Sequence, residues 1–415
     1  MIRPLFRSLV TSALVGLSVL AGGCSDYGQS SDNVTDVNHT DVERQSIGNC
    51  WLYAQASWVE SLHLSETGEK FDISQSYWTY WHWFDEITQG APDELETGGS
   101  MFTANEIIMD RGLMQEAKFI KEDSVSEMSS RQKSALDKVQ VELKTGRLKN
   151  RQDRYNKTLV RSVLDDAWQL SSTVKGQMTK AFGKGYTKTL QNGGTTAGTS
   201  VIAASKFGVF YTERDTDPNV ATEKHTTLDV AIDEWTPAYY PAGDSQRRSF
   251  QIRVQRALHD RQPVVITWDV DFNAMESSDP VLRGSFNLTT LAKSGRPGRQ
   301  GGHMTVLEDY EIETAEFGLL KAGVTLDPSL AEDAAKLEAA LLPTSTLKFL
   351  RIKNSWGAFR DDRASAVGFP GYHDLHADYL NGPIAWCPDA ADPKSATSCT
   401  GKTNPWDSVA MPPGY

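Results

Sequence analysis

Cys50, His303 and Asn354 are the residues of this chain whose types could together run nucleophilic chemistry, and each lies in a distinctive local sequence. Cys50 is within Gln45-Ser46-Ile47-Gly48-Asn49-Cys50-Trp51-Leu52-Tyr53-Ala54, His303 follows Gly301-Gly302, and Asn354 is within Lys353-Asn354-Ser355-Trp356-Gly357. Only a thiolate attacks a carbonyl carbon well, so a thiol at its ordinary pKa needs help near neutral pH. His303 would hold the proton as an imidazolium paired with the thiolate and later protonate the leaving amine. Asn354 would accept from the imidazole N–H and fix its orientation, the role of the third member of a triad. Trp356 would cover that hydrogen bond from water. A buried, inert thiol is a common fate of free cysteine. The two distant partners set Cys50 apart from that reading.

These side chains need elements to hold them. Trp51 to Glu60 has no Gly or Pro and repeats apolar residues at helical spacing, which predicts a helix with Cys50 in its first turn. Unpaired N–H groups and the helix dipole there favour a negative charge. Gly48 lets the entering chain turn sharply and approach a substrate closely. The aromatic run from Ile73 to Ile87 predicts a buried helix with His82 as a structural residue, and 104–113 a further helix ending at Gly112. From about 124 to 184 the chain turns charged and helical, with long helices over 129–149 and 153–170. This reads as an inserted, solvated hairpin packed on one side of the domain, with a lid or an oligomer contact as the functional alternative. Val209 to Thr212, Val264 to Val270, Gly302 to Tyr310 and Lys348 to Asn354 are candidate strands that would present His303 and Asn354 across a cleft from Cys50. Ser329 to Leu342 predicts a short helix between the last two. The glycines of 191–198 lack the strand–helix frame of a phosphate loop, which argues against a nucleotide cofactor.

The three motifs resemble those of the papain-like cysteine peptidases. Further stretches fit: Glu96-Thr97-Gly98-Gly99-Ser100-Met101 resembles the family's Asn-Gly-Gly segment, and Gln262-Pro263-Val264-Val265 its strand beside the specificity pocket. The branch most similar is bleomycin hydrolase and the bacterial aminopeptidases related to it, on Gly48 to Ala54, Phe71 to Tyr77 and Pro263 to Val270. The resemblance covers 43–115 and 250–360 in patches. It implies an α+β, two-lobed fold, with a helical lobe carrying Cys50 and an antiparallel β lobe carrying His303 and Asn354. It also implies Gly98, Gly99 and Trp356 as residues beside a bound peptide, a Gln as oxyanion donor, and no cofactor. The family's Gln stands six residues before the Cys; here that position is Arg44, while Gln45 is five before. Gln45 is the expected donor and Arg44 the alternative. His303 lies 253 residues after Cys50, against roughly 130–150 in simple papain-type enzymes.

The chain has 415 residues and a net charge of −12, with a pI near 5.2, which argues against nucleic acid and against charge-driven binding to anionic lipid. Arg3 and Arg7 precede an apolar run from Leu9 to Leu20, a targeting segment too short for a comfortable membrane span. Leu20-Ala21-Gly22-Gly23-Cys24 resembles a bacterial lipobox. It implies a signal over 1–24, lipidation of Cys24, a flexible tether over 25–42 and an exported lipoprotein, with Ser25 suited to the outer membrane. The peptidase domain would then occupy 43–415, with a C-terminal extension from about 361. Of four cysteines, Cys24 and Cys50 are so assigned, and Cys387 and Cys399 would pair in an oxidising compartment. No metal-binding spacing is present.

The function expected from the sequence is hydrolysis of peptide bonds in a peptide or protein substrate through a Cys50 acyl-thioester. The alternatives are a catalytically weak papain-fold binding protein, or acyl transfer from the same thiol to an amine.

Overall fold

Cys50–Thr67 is an 18-residue helix, α1, that runs through the middle of the helical lobe. Its apolar residues are not confined to one stripe: Trp51, Leu52, Ala56, Trp58, Val59 and Leu62 are all buried, as expected of a helix enclosed on every side. Gly68, at φ 72°, ends it by donating its N–H to the Leu64 carbonyl. The computed structural model describes residues 37–215, 220–360, 362–387, 399 and 401–415. Ser74 caps α2 (Gln75–Asp85) by accepting from the Tyr77 N–H, and Ser100 caps α3 (Met101–Arg111) by accepting from the Thr103 N–H. The aromatic run continues past α2 in a π-helical turn, Glu86–Gly90.

The charged region forms several helices, the longer ones being Gln132–Lys144, Lys157–Ala167 and Ser172–Phe182. It is not a solvated hairpin resting on the domain. Val139, Leu143, Val160, Val163, Leu164 and Trp168 belong to the same buried cluster as Trp51, Trp78 and Trp81. The charged residues cover its outer face, and the apolar stripe beneath closes the helical lobe.

The strands are β1 (Gly208–Arg214), β2 (Ala221–Thr227), β3 (Thr236–Tyr239), β4 (Val265–Asp271), β5 (Ser285–Phe286), β6 (Gln300–Thr314), β7 (Gly318–Leu320), β8 (Thr346–Lys353), β9 (Tyr372–His376), β10 (Ile384–Trp386), β11 (Gly401–Thr403) and β12 (Trp406–Met411). The main sheet runs β3-β12-β4-β6-β8-β9-β5, with β7 on β6. It is antiparallel except where β5 meets β9. Val265, Met304, Val306 and Ala410 pack into the helical cluster, whereas Ile266, Trp268, Leu307 and Ile352 belong to a second core. The sheet thus has one face against the helical lobe and the other within its own.

Three expectations change. Val209 to Thr212 lies in β1, which pairs with β2 in a separate two-stranded sheet and takes no part in presenting His303. The residues set apart as a C-terminal extension supply β9 and β12, both integral to the main sheet. The last six residues assigned to the tether are held in the fold: Val37 and Val42 are buried, and His39 pairs with Glu308 at 2.6 Å. Thr40 donates to Glu60 of α1 and accepts from Lys353 of β8 at 3.1 Å, so the segment ties the two lobes together. The signal over 1–24, Cys24 and the rest of the tether lie outside the described residues. No described helix is long and apolar enough to cross a membrane.

Candidate active site

Asn49 is the N-cap of α1, but its side chain does not cap the helix. It is buried, and its amide donates to Thr79 Oγ1 at 3.0 Å and to Gln132 Oε1 at 3.2 Å. Gln132, itself buried, donates to Ser76 Oγ at 3.1 Å. The first helix of the inserted region is therefore bonded to the residue preceding the nucleophile. Cys50 is a free, half-buried thiol in the first turn of α1. Burial pushes its pKa up, and the backbone N–H groups of Met304, Trp51 and Cys50 itself act the other way. The Met304 amide places the residue after His303 against the sulfur.

His303 lies near the start of β6, opposite Trp268 of β4, and Asn354 directly follows β8. Because β6 and β8 are antiparallel, with Val306 opposite Lys353, the start of one strand meets the end of the other. His303 Nε2 donates to Asn354 Oδ1 at 2.8 Å, which leaves Nδ1 as the basic nitrogen. Ser355 N–H holds the same oxygen at 2.7 Å. The Trp356 ring is stacked on the imidazole, with centroids 4.9 Å apart and planes 20° apart, and Trp268 approaches it edge-on. Trp356 is buried there, in a covering position. Burial lowers the His303 pKa to about 4 against the Asn354 bond, which raises it. The thiolate–imidazolium contact expected from the sequence is not among the described hydrogen bonds. Burial of each group favours its neutral form.

Gln45 is tied to this loop. Its backbone N–H donates to the Ser355 carbonyl at 2.9 Å, and its Oε1 accepts from Ser355 Oγ at 2.6 Å. Its Nε2 donates one hydrogen to the Ile47 carbonyl at 2.8 Å, and an amide nitrogen has a second. The Arg44 backbone bridges to Trp356 and Met128 and gives its N–H to the Glu127 carbonyl, and its side chain lies beside Gly357. Gly48 is not in a left-handed conformation; its need is for space, since a Cβ would lie 2.6 Å from Thr97 Oγ1. Thr97 also accepts from Trp51 Nε1 at 2.9 Å through its carbonyl. At Gly99 a Cβ would come within 2.4 Å of the Trp51 ring, whereas Gly98 faces open space. The Gly98-Gly99 segment thus lies directly on the residue after Cys50.

Sequence reasoning passed over Ser355, Gln132, Glu127 and His373. Glu127 Oε1 accepts from Ala358 N–H at 3.1 Å, so the inserted region also reaches the loop after Asn354. His373 is buried with its ring 5.1 Å from that of Trp356, and its Nδ1 is 3.0 Å from the Gly284 carbonyl. Ser355 could have been found from its place in the Asn-Ser-Trp motif; the others carry no local signal. Cys387 and Cys399 are joined in a disulfide. No group of His, Cys, Asp and Glu side chains that could hold a metal occurs among the described residues.

No family model and no curated protein matches the sequence. Among solved structures, the chain is similar to xylellain, a cysteine protease from Xylella fastidiosa, at 12% identity and a TM-score of 0.36, over 92% of this chain and 86% of that one. It is also similar to the clostridial cysteine protease Cwp84, at 9% identity and a TM-score of 0.33, over 90% of this chain and 54% of that one. A cysteine protease of Carica candamarcensis is similar at 12% identity and a TM-score of 0.28, over 91% of this chain and 93% of that one. At these values the reading of the site rests on its own residues: an α+β chain in which a cysteine opens a helix packed on the strand that carries the histidine, with the asparagine at the end of the next strand.

Proposed function

We propose that this chain is a cysteine peptidase that hydrolyses peptide bonds in a peptide or protein substrate through an acyl-thioester on Cys50. The observation that carries the reading is the His303–Asn354 hydrogen bond under the Trp356 ring, one residue away from the backbone amide that meets the Cys50 sulfur. The Cys50 sulfur attacks the substrate carbonyl carbon while His303 Nδ1 takes the thiol proton. Asn354 holds the ring in the tautomer that leaves Nδ1 free to act as the base, and the cationic imidazole then gives its proton to the leaving amine. The Cys50 backbone N–H and the second hydrogen of Gln45 Nε2 supply two donors for the tetrahedral oxyanion. Water, deprotonated by His303, attacks the thioester and frees the carboxylic acid. Gly98 and Gly99, open on one side and seated on Trp51 on the other, offer backbone to the substrate just upstream of the scissile bond.

We further propose that Cys24 carries lipid and holds the domain at a bacterial envelope; labelling with a fatty-acid analogue should be lost in Cys24→Ser. The peptidase reading is tested by peptide-library cleavage with the 25–415 chain and its Cys50→Ala variant. Cleavage by the first and none by the second is expected; equal cleavage would end the reading. The neutral forms favoured for Cys50 and His303 by burial support a second reading, a catalytically weak binding protein, for which neither cleavage nor labelling by a thiol-directed epoxide would occur. Products joined to an added amine would instead identify acyl transfer.

A further inference from the structure

On the β lobe, beside the loop that follows Asn354, the structure has a cleft of about 500 Å³ that the chemistry above does not use. Arg283, Arg360 and Arg363 line it, and no described aspartate or glutamate does. In a chain with a net charge of −12, three guanidiniums in one hollow are a local reversal of sign. Among the described residues one carboxylate answers them, and it is shared. Arg360 donates to Asp362 Oδ1 at 2.7 Å and to its Oδ2 at 2.6 Å, while Arg363 Nη1 lies 3.2 Å from that same Oδ2. Arg283 is exposed and has no ion-pair partner among the described residues; it donates to the Ser277 carbonyl at 3.5 Å.

Two further features set this cleft apart from a merely solvated basic surface. Phe359 and Val367 line it while 67% and 56% exposed, so large apolar side chains stand open in the same hollow as the cations. The Arg363 guanidinium is also held against aromatic rings, 4.2 Å from the centroid of Phe272 and 5.6 Å from that of Trp356. Arg299 lies 4.7 Å from the same Phe272 ring. Burial pushes the Arg363 pKa down, Asp362 acts the other way, and the charges of Arg360 and Arg299 push it down further. Like charges held this close repel, and a bound anion relieves the repulsion.

The chemistry at His303 gives the cleft its place along a substrate. That imidazole protonates the leaving amine, so the peptide downstream of the scissile bond passes beside it. The Trp356 ring that lies 4.9 Å from the imidazole is the ring that the Arg363 guanidinium approaches. About three residues of extended chain, at roughly 3.4 Å each, cover that interval.

We propose that this cleft receives acidic side chains of the peptide substrate, glutamate or aspartate at the second to fourth positions downstream of the scissile bond. Their carboxylates pair with Arg283 and Arg363, and apolar neighbours in the peptide rest on Phe359 and Val367. Open apolar surface beside the cations suits a peptide better than a bare polyanion. The proposal rests on the peptidase reading for its substrate, but its binding step can be measured without turnover.

The test uses the 25–415 chain carrying Cys50→Ala, with a fluorescent glutamate–alanine decapeptide and its lysine–alanine counterpart. Anisotropy should show the glutamate peptide binding at least tenfold more tightly at 50 mM salt, with the difference shrinking at 300 mM. Arg283→Gln together with Arg363→Gln, checked for an unchanged circular dichroism spectrum, should remove the preference. Arg283→Glu, at an exposed position where folding is not at stake, should lower it by itself. With Cys50 intact, cleavage products of a peptide library should be enriched in glutamate and aspartate at the second to fourth positions after the cut, and the double change should abolish that enrichment. Equal binding of the two peptides, or a preference that survives these changes, overturns the proposal. Tripolyphosphate displacing the glutamate peptide at equimolar concentration overturns the peptide assignment and makes the cleft a polyphosphate site. Selective binding without cleavage of any peptide supports the cleft and sinks the peptidase reading; cleavage indifferent to acidic residues does the reverse.

Discussion

Cys50, His303 and Asn354 should respond differently to removal, because one reacts, one moves protons and one orients. Cys50→Ala is expected to abolish cleavage of a fluorogenic peptide, His303→Ala to lose nearly as much, and Asn354→Ala distinctly less. Gln45→Ala should lower kcat by about 10²–10³ fold as an oxyanion donor is lost. Arg44→Ala should cost far less, since the Arg44 side chain lies beside Gly357, whereas the Gln45 amide is fastened to Ser355. The opposite ranking would make Arg44 the donor. A pH profile of Cys50 alkylation by iodoacetamide separates the protonation states. Burial raises the thiol pKa and lowers that of His303 to about 4, so reactivity should be low at pH 5 and climb through the alkaline range. A plateau reaching down to pH 5 would show a thiolate–imidazolium pair in the free protein. The reacting residues were legible because each stands in its own short motif. The donor was ambiguous by one position, and what favours Gln45 is a contact with Ser355, 310 residues away along the chain.

At the scale of elements, the inserted helices carry the clearest consequences. Gln132 is the acceptor for Asn49 and the donor to Ser76, so Gln132→Ala leaves buried polar groups unpaired at the start of α1. It should cost about 1–3 kcal/mol in urea unfolding and lower kcat more than it changes KM. Trp168, fully buried with its ring 5.3 Å from that of Trp83, should cost about 3–5 kcal/mol as Trp168→Ala. An unchanged unfolding midpoint would mean that these helices are the peripheral hairpin their charge pattern suggests. Periodicity in the sequence marked α1, α2, α3 and three strands of the main sheet, β4, β6 and β8, because each has apolar spacing and α3 a clear stop at Gly112; the other strands of that sheet carried no such signal. It did not show that the charged helices share the core. A stripe of Val and Leu states that a face is covered, not by what, and Trp168 finds Trp83 only through tertiary packing.

For the molecule as a whole, the join between lobes makes stability depend on pH. Glu60 of α1 lies buried between Thr40 and the Ile73 N–H, and burial raises its pKa to about 7, with Lys353 acting in the other direction. Such a carboxyl holds its proton more tightly folded than unfolded. The stability it contributes is complete below the usual carboxylate range and is lost as pH rises through about 7. Glu60→Gln should therefore flatten the fall in Tm between about pH 4.5 and pH 7, and an unchanged slope would place that dependence elsewhere. The position of β12 has a different consequence, one of timing. β12 separates β3 from β4 in the sheet and pairs with both, yet it is made of residues 406–411. Until those residues leave the ribosome, β4 has one bare edge, and β4 is the strand that supports His303 through Trp268. A growing chain therefore passes through synthesis with the strand beside its histidine paired on one side only, although the histidine strand itself already lies between β4 and β8.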